Sequence, residues 1–279
     1  MNHKTTKFSD YIYISSYFIL VVFFIVGLIA PFTFLKPPLF IDKSLTSNKQ
    51  GNKTVIEKPL HNVQLPKFSD IKDVKEKKRR FFSFIRPALE KQNQKILSNR
   101  TKLLAIKERY VLNSALSLTD KSFIDKMKKK YKSNTELGVL AAIDQLLLKV
   151  DIVPVPLVLV QAANESAWGT SRFARIGLNF FGMWCFEKGC GMVPRKRNTG
   201  AMHEVAAFNS VEEAVTKYLH NINTNAAYKV FRTIRGQLRM QNLPLSSEIL
   251  ATGLLPYSER GSDYVLEISE MIRHNKPYF

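Results

Sequence analysis

The stretch Pro156-Leu157-Val158-Leu159-Val160-Gln161-Ala162-Ala163-Asn164-Glu165-Ser166-Ala167-Trp168-Gly169-Thr170-Ser171 decides the reading of this chain. Pro156 suits the first turn of a helix, where its missing N–H is not needed. Residues 157 to 163 hold a single polar side chain, Gln161, so the helix has no wet face and must be buried on most sides. Gly169 is the expected stop. Glu165 therefore stands near the C-terminal end of a buried helix. A carboxyl in apolar surroundings keeps its proton, because its charged form is poorly solvated. The negative end of the helix dipole acts in the same direction. A carboxylic acid still protonated near neutral pH is what general-acid cleavage of a glycosidic bond requires. The same pattern also fits an exposed or ion-paired glutamate at a helix end.

Helical signals dominate on both sides. Upstream, Pro87 can open a helix with an apolar stripe at Leu89, Ile96, Leu103, Leu104 and Val111. Thr119 can cap a short helix carrying Phe123, Ile124 and Met127. Residues 136 to 149 read as a buried helix lined by Leu140, Ile143, Leu147 and Leu148. Downstream, Gly182, Gly189, Gly191, Pro194 and Gly200 punctuate short apolar pieces between Asn179 and Phe208. That region predicts a small β-hairpin or structured loop. Ser210 with Glu213 forms a capping box for a further helix, and the last helix runs from about Asp263 to His274. The fold class is α+β and mostly α.

The N-terminus differs in kind. Residues 11–35 are almost wholly apolar and uncharged, long enough to cross a bilayer as a helix. Lys4 and Lys7 precede them, and Pro31 disfavours signal cleavage after Ala30. An uncleaved single-pass anchor is expected, with residues 1–10 as a cytoplasmic tail and residues 36–66 as a linker rich in Ser, Thr, Asn, Lys and Pro. Residues 67–133 form a basic helical region expected to pack on a catalytic domain spanning 134–279. The formal charge is +19, from 42 Lys and Arg against 23 Asp and Glu. Runs such as Lys77-Lys78-Arg79-Arg80 and Lys128-Lys129-Lys130 favour anionic surfaces. They carry no zinc-finger spacing and no RNA-binding signature, so no nucleic-acid partner is expected.

Cys185 and Cys190 do not have metal-motif spacing. Outside the cytoplasm they would pair as a disulfide; inside it they would be two thiols. His203 and His220 lack flanking carboxylates at ligand spacing, so no metal and no cofactor are expected. Ser171 lacks His and Asp partners for a serine hydrolase.

The segment Gln161 to Ser171, with its Glu-Ser-x-Trp-Gly-x-Ser core, resembles the catalytic segment of the bacterial glucosaminidase superfamily. Asn179-Phe180-Phe181-Gly182 is similar to that family's Asn-Leu-Phe-Gly signature. Phe208-Asn209-Ser210, Tyr218 and Tyr228 resemble its later positions. The insert Trp184-Cys185-Phe186-Glu187-Lys188-Gly189-Cys190-Gly191 and the ending Tyr257-Ser258-Glu259-Arg260-Gly261 resemble the Bax-type branch. The resemblance runs from about Lys78 to the C-terminus. It implies a lysozyme-like fold and hydrolysis of the β-1,4 bond after N-acetylglucosamine in peptidoglycan. Glu165 would be the general acid. Glu204 would be the second carboxylate across the cleft, with Glu187 as fallback. Tyr228 would steady the acetamide or the developing charge. Ser166, Asn179, Phe180, Trp184 and Tyr218 would contact the glycan strand; Phe181 would line the cleft with Phe180, at least one of the two being expected in the core. Packing is the expectation for Trp168, and close backbone approach for Gly169. The implied location is the bacterial inner membrane, with the catalytic domain in the periplasm or facing the wall. Two other readings stay open: a lytic transglycosylase on the same polymer, and a non-catalytic wall-binding scaffold.

Overall fold

A computed structural model of the chain describes residues 58–134, 136–194 and 203–279. The expected tail, the anchor over 11–35 and the linker as far as residue 57 lie outside the described residues. Among the described residues no helix is long and apolar enough to cross a membrane.

The described chain opens with α1 (Val74–Asn113) and α2 (Leu118–Lys130). α3 (Val139–Lys149) and α4 (Val155–Ser166) follow, then the short α5 (Arg172–Gly177). Three strands come next: β1 (Trp184–Cys185), β2 (Gly191–Met192) and β3 (Glu204–Ala206). The chain closes with α6 (Val211–Thr224), α7 (Lys229–Met240), α8 (Ser247–Ala251) and α9 (Ser262–His274), joined partly by 3-10 turns.

α1 starts well before Pro87. The Asp73 carboxylate caps it by accepting from the Glu76 N–H, and Pro87 lies inside the helix. An internal proline costs about 3 kcal/mol. Here Phe81, Phe82, Ile85 and Leu89 are buried around it, so packing outweighs the local preference. Leu104 and Val111, expected on the apolar stripe, are 46% and 60% exposed. Ser117, not Thr119, caps α2, its Oγ accepting from the Asp120 N–H at 3.1 Å. The buried face of α3 is rotated from the expected one: Ala142, Ile143 and Leu146 are buried, while Leu140 and Leu148 are 38% and 44% exposed. Ser210 caps α6 as expected, its Oγ accepting from the Glu213 N–H at 3.1 Å.

α4 is the central element, with every residue from Leu157 to Ala163 buried. It shares one core with Phe81 and Phe82 of α1, Leu219 and Ile222 of α6, Phe231 of α7 and Ile268 of α9. The helix ends earlier than expected. Ala167 (φ 48°), Trp168 (φ 58°) and Gly169 (φ 77°) are all left-handed. The conformation costs a non-glycine residue about 1–2 kcal/mol. It is held by the Trp168 N–H donating to the Ala163 carbonyl at 2.8 Å and by Trp168 packing on Phe81 and Phe82. At Gly169 an added Cβ would lie 2.5 Å from the Phe68 ring, so backbone must touch aromatic there.

The link between α3 and α4 is fixed by charge. Asp151 is 1% exposed, and its carboxylate accepts two bonds from the Arg239 guanidinium, at 3.0 and 2.9 Å. Arg100 approaches the same carboxylate at 3.3 Å. The buried Arg235 donates to the carbonyls of Leu148, Asp151 and Ile152. Burial pushes the Arg235 pKa down to about 10, with Asp151 opposing.

The small sheet is not the expected hairpin. Its order is β1-β3-β2, both pairs antiparallel, so β3 lies between the two arms of the cysteine loop. Gly191 permits this: a Cβ there would fall 2.0 Å from the Val205 carbonyl oxygen.

Candidate active site

Glu165 opens onto a cleft of about 570 Å³. The walls include Phe173, Phe181 and Met183, Trp184 and Phe186 on the cysteine loop, and Tyr228 and Tyr257 opposite. Asn221 and Asn225 supply amides. A cavity of this size, with polar groups set among aromatic and apolar side chains, is the usual form of a small-ligand site. Gly182 brings backbone close to the carboxyl: a Cβ at this residue (φ 62°) would sit 3.3 Å from Glu165 Oε2.

Burial raises the Glu165 pKa above its ordinary value. A hydrogen bond from Tyr264 opposes the rise, the Glu267 charge adds to it, and Arg260 subtracts. Glu267 and Arg260 pair with each other at 2.8 Å. The Tyr264 hydroxyl is itself oriented, because it accepts from the Gln161 amide nitrogen at 2.9 Å. Gln161 Oε1 in turn accepts from the Tyr218 hydroxyl. The Tyr264 hydroxyl proton is thereby left to point at Glu165. Burial, first among the causes, raises Tyr218, Tyr228, Tyr257 and Tyr264, and the Glu165 charge adds to each. The carboxyl is thus ringed by tyrosines that remain protonated donors at neutral pH.

Of the residues expected from the sequence, the structure brings Glu165, Phe181, Trp184 and Tyr228 to the cleft. Trp184 is 51% exposed and meets His203 edge-on at 4.5 Å. The others hold the framework. Ser166 is fully buried; its Oγ donates to the Ala162 carbonyl at 2.6 Å and accepts from the Gly169 N–H at 2.9 Å. Asn179 fills all four of its hydrogen-bonding positions within the protein. Its Nδ2 donates to the carbonyls of Met183 and Ala206, and its Oδ1 accepts from the N–H groups of Phe181 and Met183. It shapes the turn that presents Phe181 and Gly182. Phe180 is buried against Phe81 and Phe84, so the cleft aromatic is its neighbour Phe181. Tyr218 is buried and stacks on Phe181 at 4.2 Å.

Glu204, expected across the cleft, is 6% exposed and does not line it. Its two carboxylate oxygens accept from the N–H groups of Gly189 and Gly191, at 3.0 and 2.9 Å. The sequence pattern could not separate this use from a catalytic one. Cys185 and Cys190 form a disulfide across the same loop. Glu204 and the disulfide together staple the segment that carries Trp184 and Phe186. The fallback Glu187 is exposed on that loop. The sulfurs and the Glu204 carboxylate lie within 4.8 Å of one another, but the disulfide removes the thiolates a metal would need.

Gln161, Phe186, Tyr257 and Tyr264 stand at the site without the sequence having assigned them a role there. Gln161 had a signal, being polar in an apolar helix one turn before Glu165, hence on its face. Tyr257 Oη donates to the Phe181 carbonyl at 2.8 Å and its ring stacks on Tyr264 at 5.5 Å.

A profile of the family described as mannosyl-glycoprotein endo-beta-N-acetylglucosaminidase matches residues 140–276, a span that includes Glu165, the sheet and Tyr264. Protein bax of Escherichia coli (strain K12) is 32% identical over 200 residues, covering 72% of this chain and 70% of that protein. No solved structure matches the chain. Profile, relative and the order of motifs agree, and the chain belongs to the glucosaminidase family.

Proposed function

We propose that the chain is a peptidoglycan hydrolase that cleaves the β-1,4 bond after N-acetylglucosamine, with Glu165 as general acid. One observation carries this: a carboxyl whose pKa is raised by burial stands in an aromatic-walled cleft of about 570 Å³. Protonated Glu165 gives its hydrogen to the leaving oxygen as the bond to the anomeric carbon breaks. Among the described residues lining the cleft, Glu165 is the sole carboxylate. The nucleophile that this leaves is the substrate's own acetamido oxygen, which bonds to the anomeric carbon until water displaces it and returns a proton to the Glu165 carboxylate. The amides of Asn221 and Asn225 and the Tyr228 hydroxyl are the polar groups available to orient it. Apolar sugar faces suit Trp184 and Phe186.

The same single carboxylate supports a second reading, a lytic transglycosylase, in which a sugar hydroxyl replaces water. Digestion of purified peptidoglycan followed by mass spectrometry separates the two. Reducing N-acetylglucosamine ends are expected; anhydro-muramic ends would replace the hydrolase with the transglycosylase. Opening the Cys185–Cys190 disulfide is expected to raise KM several-fold with a smaller effect on kcat, because it frees the wall that carries Trp184 and leaves Glu165 in place. A kcat loss at unchanged KM, measured with and without a thiol reductant, would contradict that division of roles.

A further inference from the structure

The hairpin between α1 and α2 carries a feature that the cleft does not use. Ser114 (φ 53°) ends α1 with a left-handed turn, and α2 begins at Leu118. Around this turn Val111, Leu112 and Leu118 are 60%, 76% and 88% exposed. Single exposed apolar side chains are ordinary, but three at one tip are a patch. Leu118 borders a shallow pocket of about 390 Å³, with Phe123 as its apolar floor, Lys102 and Lys126 as its cations and Thr119 and Ser122 as its hydroxyls. The Lys102 ammonium sits 4.3 Å from the Phe123 ring centre. Between residues 101 and 132 there are nine Lys or Arg against three Asp or Glu. Two of those cations are already paired, Arg109 with Asp120 at 2.9 Å and Lys107 with Asp144 at 2.5 Å, and the rest of the excess remains.

The combination selects among partners. A soluble polyanion would engage the lysines and leave the leucines in water. An apolar protein groove would take the leucines and have no use for the basic collar. An anionic bilayer interface takes both, burying apolar side chains at the acyl boundary while phosphates face the lysines. We propose that the α1–α2 tip docks on an anionic phospholipid bilayer, with Leu112 and Leu118 entering the interface. Phe82 and Leu112 both lie on α1, thirty residues apart, so the end of α1 that packs on Trp168 stands about 45 Å along the helix from the docked tip. The contact is independent of the chemistry in the cleft.

Both native cysteines are in the disulfide. Leu118→Cys in the full chain therefore offers a single reactive thiol for an environment-sensitive fluorophore. The labelled protein is reconstituted with vesicles of phosphatidylcholine, with or without phosphatidylglycerol. On anionic vesicles the emission is expected to rise several-fold, shift to the blue and be quenched by nitroxide lipids. Neutral vesicles, or the added changes Lys121→Glu and Lys126→Glu at exposed positions, should leave it as in buffer. A label at Glu259 reports on the rest of the surface and should not respond. Equal spectra on neutral and anionic vesicles, an equal response at Glu259, or the same change evoked by soluble polyphosphate without lipid would each overturn the proposal.

Discussion

Glu165→Gln is expected to slow release of peptidoglycan fragments by a factor of about 10²–10⁴, the usual worth of a positioned general acid. The same change is expected to raise the melting temperature at neutral pH. Burial raises the pKa of Glu165 in the folded chain. Between the free-glutamate value of about 4.3 and that raised value, the folded state holds more protons than the unfolded one. Stability contributed by this group is complete below the free value and is lost as pH rises through the folded one. Glutamine keeps the shape and carries no such penalty. The gap in melting temperature should therefore be small in acid, open through that window and level off above it. Scanning calorimetry of both proteins across pH is the check, and a gap independent of pH would contradict the burial of Glu165. Tyr264→Phe should raise the Glu165 pKa further. It removes the bond that lowers the Glu165 pKa, so the alkaline limb of kcat against pH should move upward.

Asp151→Ala is expected to be the most destabilising single change at a distance from the cleft. The carboxylate faces Arg239 and Arg100, with the buried Arg235 on the adjoining carbonyls. Removing it leaves cationic groups buried without their counter-charge, a loss of about 3–5 kcal/mol. For a domain of this size the melting temperature should fall by on the order of 10 °C. Thermal unfolding followed by circular dichroism measures it. A fall within a degree or two would mean that the guanidinium groups are satisfied by the carbonyls alone. Because α4 begins just after Asp151, the loss should reach Glu165 through the fold and not through its pKa.

The helix that carries Glu165 was legible because its signal is local. Seven buried residues in sequence, a proline at the start and a glutamate at the end can be read without knowing what packs around them. The limits lie where a residue's meaning depends on distant partners. Gln161 meets Tyr264 across 103 positions, and no periodicity announces that pairing. Glu204 is one letter whether it faces a sugar or two glycine N–H groups, and only the fold of the cysteine loop decides. Asn179 and Ser166 sit inside recognisable motifs, yet their atoms are spent on backbone. In such a motif, residues that shape the backbone and residues that would touch a ligand stand side by side. Helix starts were misplaced for a related reason. Pro87 reads as a beginning by local rule, and the aromatic packing of Phe81 and Phe82 against Trp168 overrides that rule.

The sulfur–sulfur bond beneath Trp184 also sets a condition on when the protein could work. Thiols stay unpaired in the cytosol, where glutathione and thioredoxin hold them. A newly made chain there would lack the staple, and the wall presenting Trp184 and Phe186 would be loose until an oxidant was met. Until then Glu204 alone would hold that wall, and substrate would bind several-fold more weakly with Glu165 still in place.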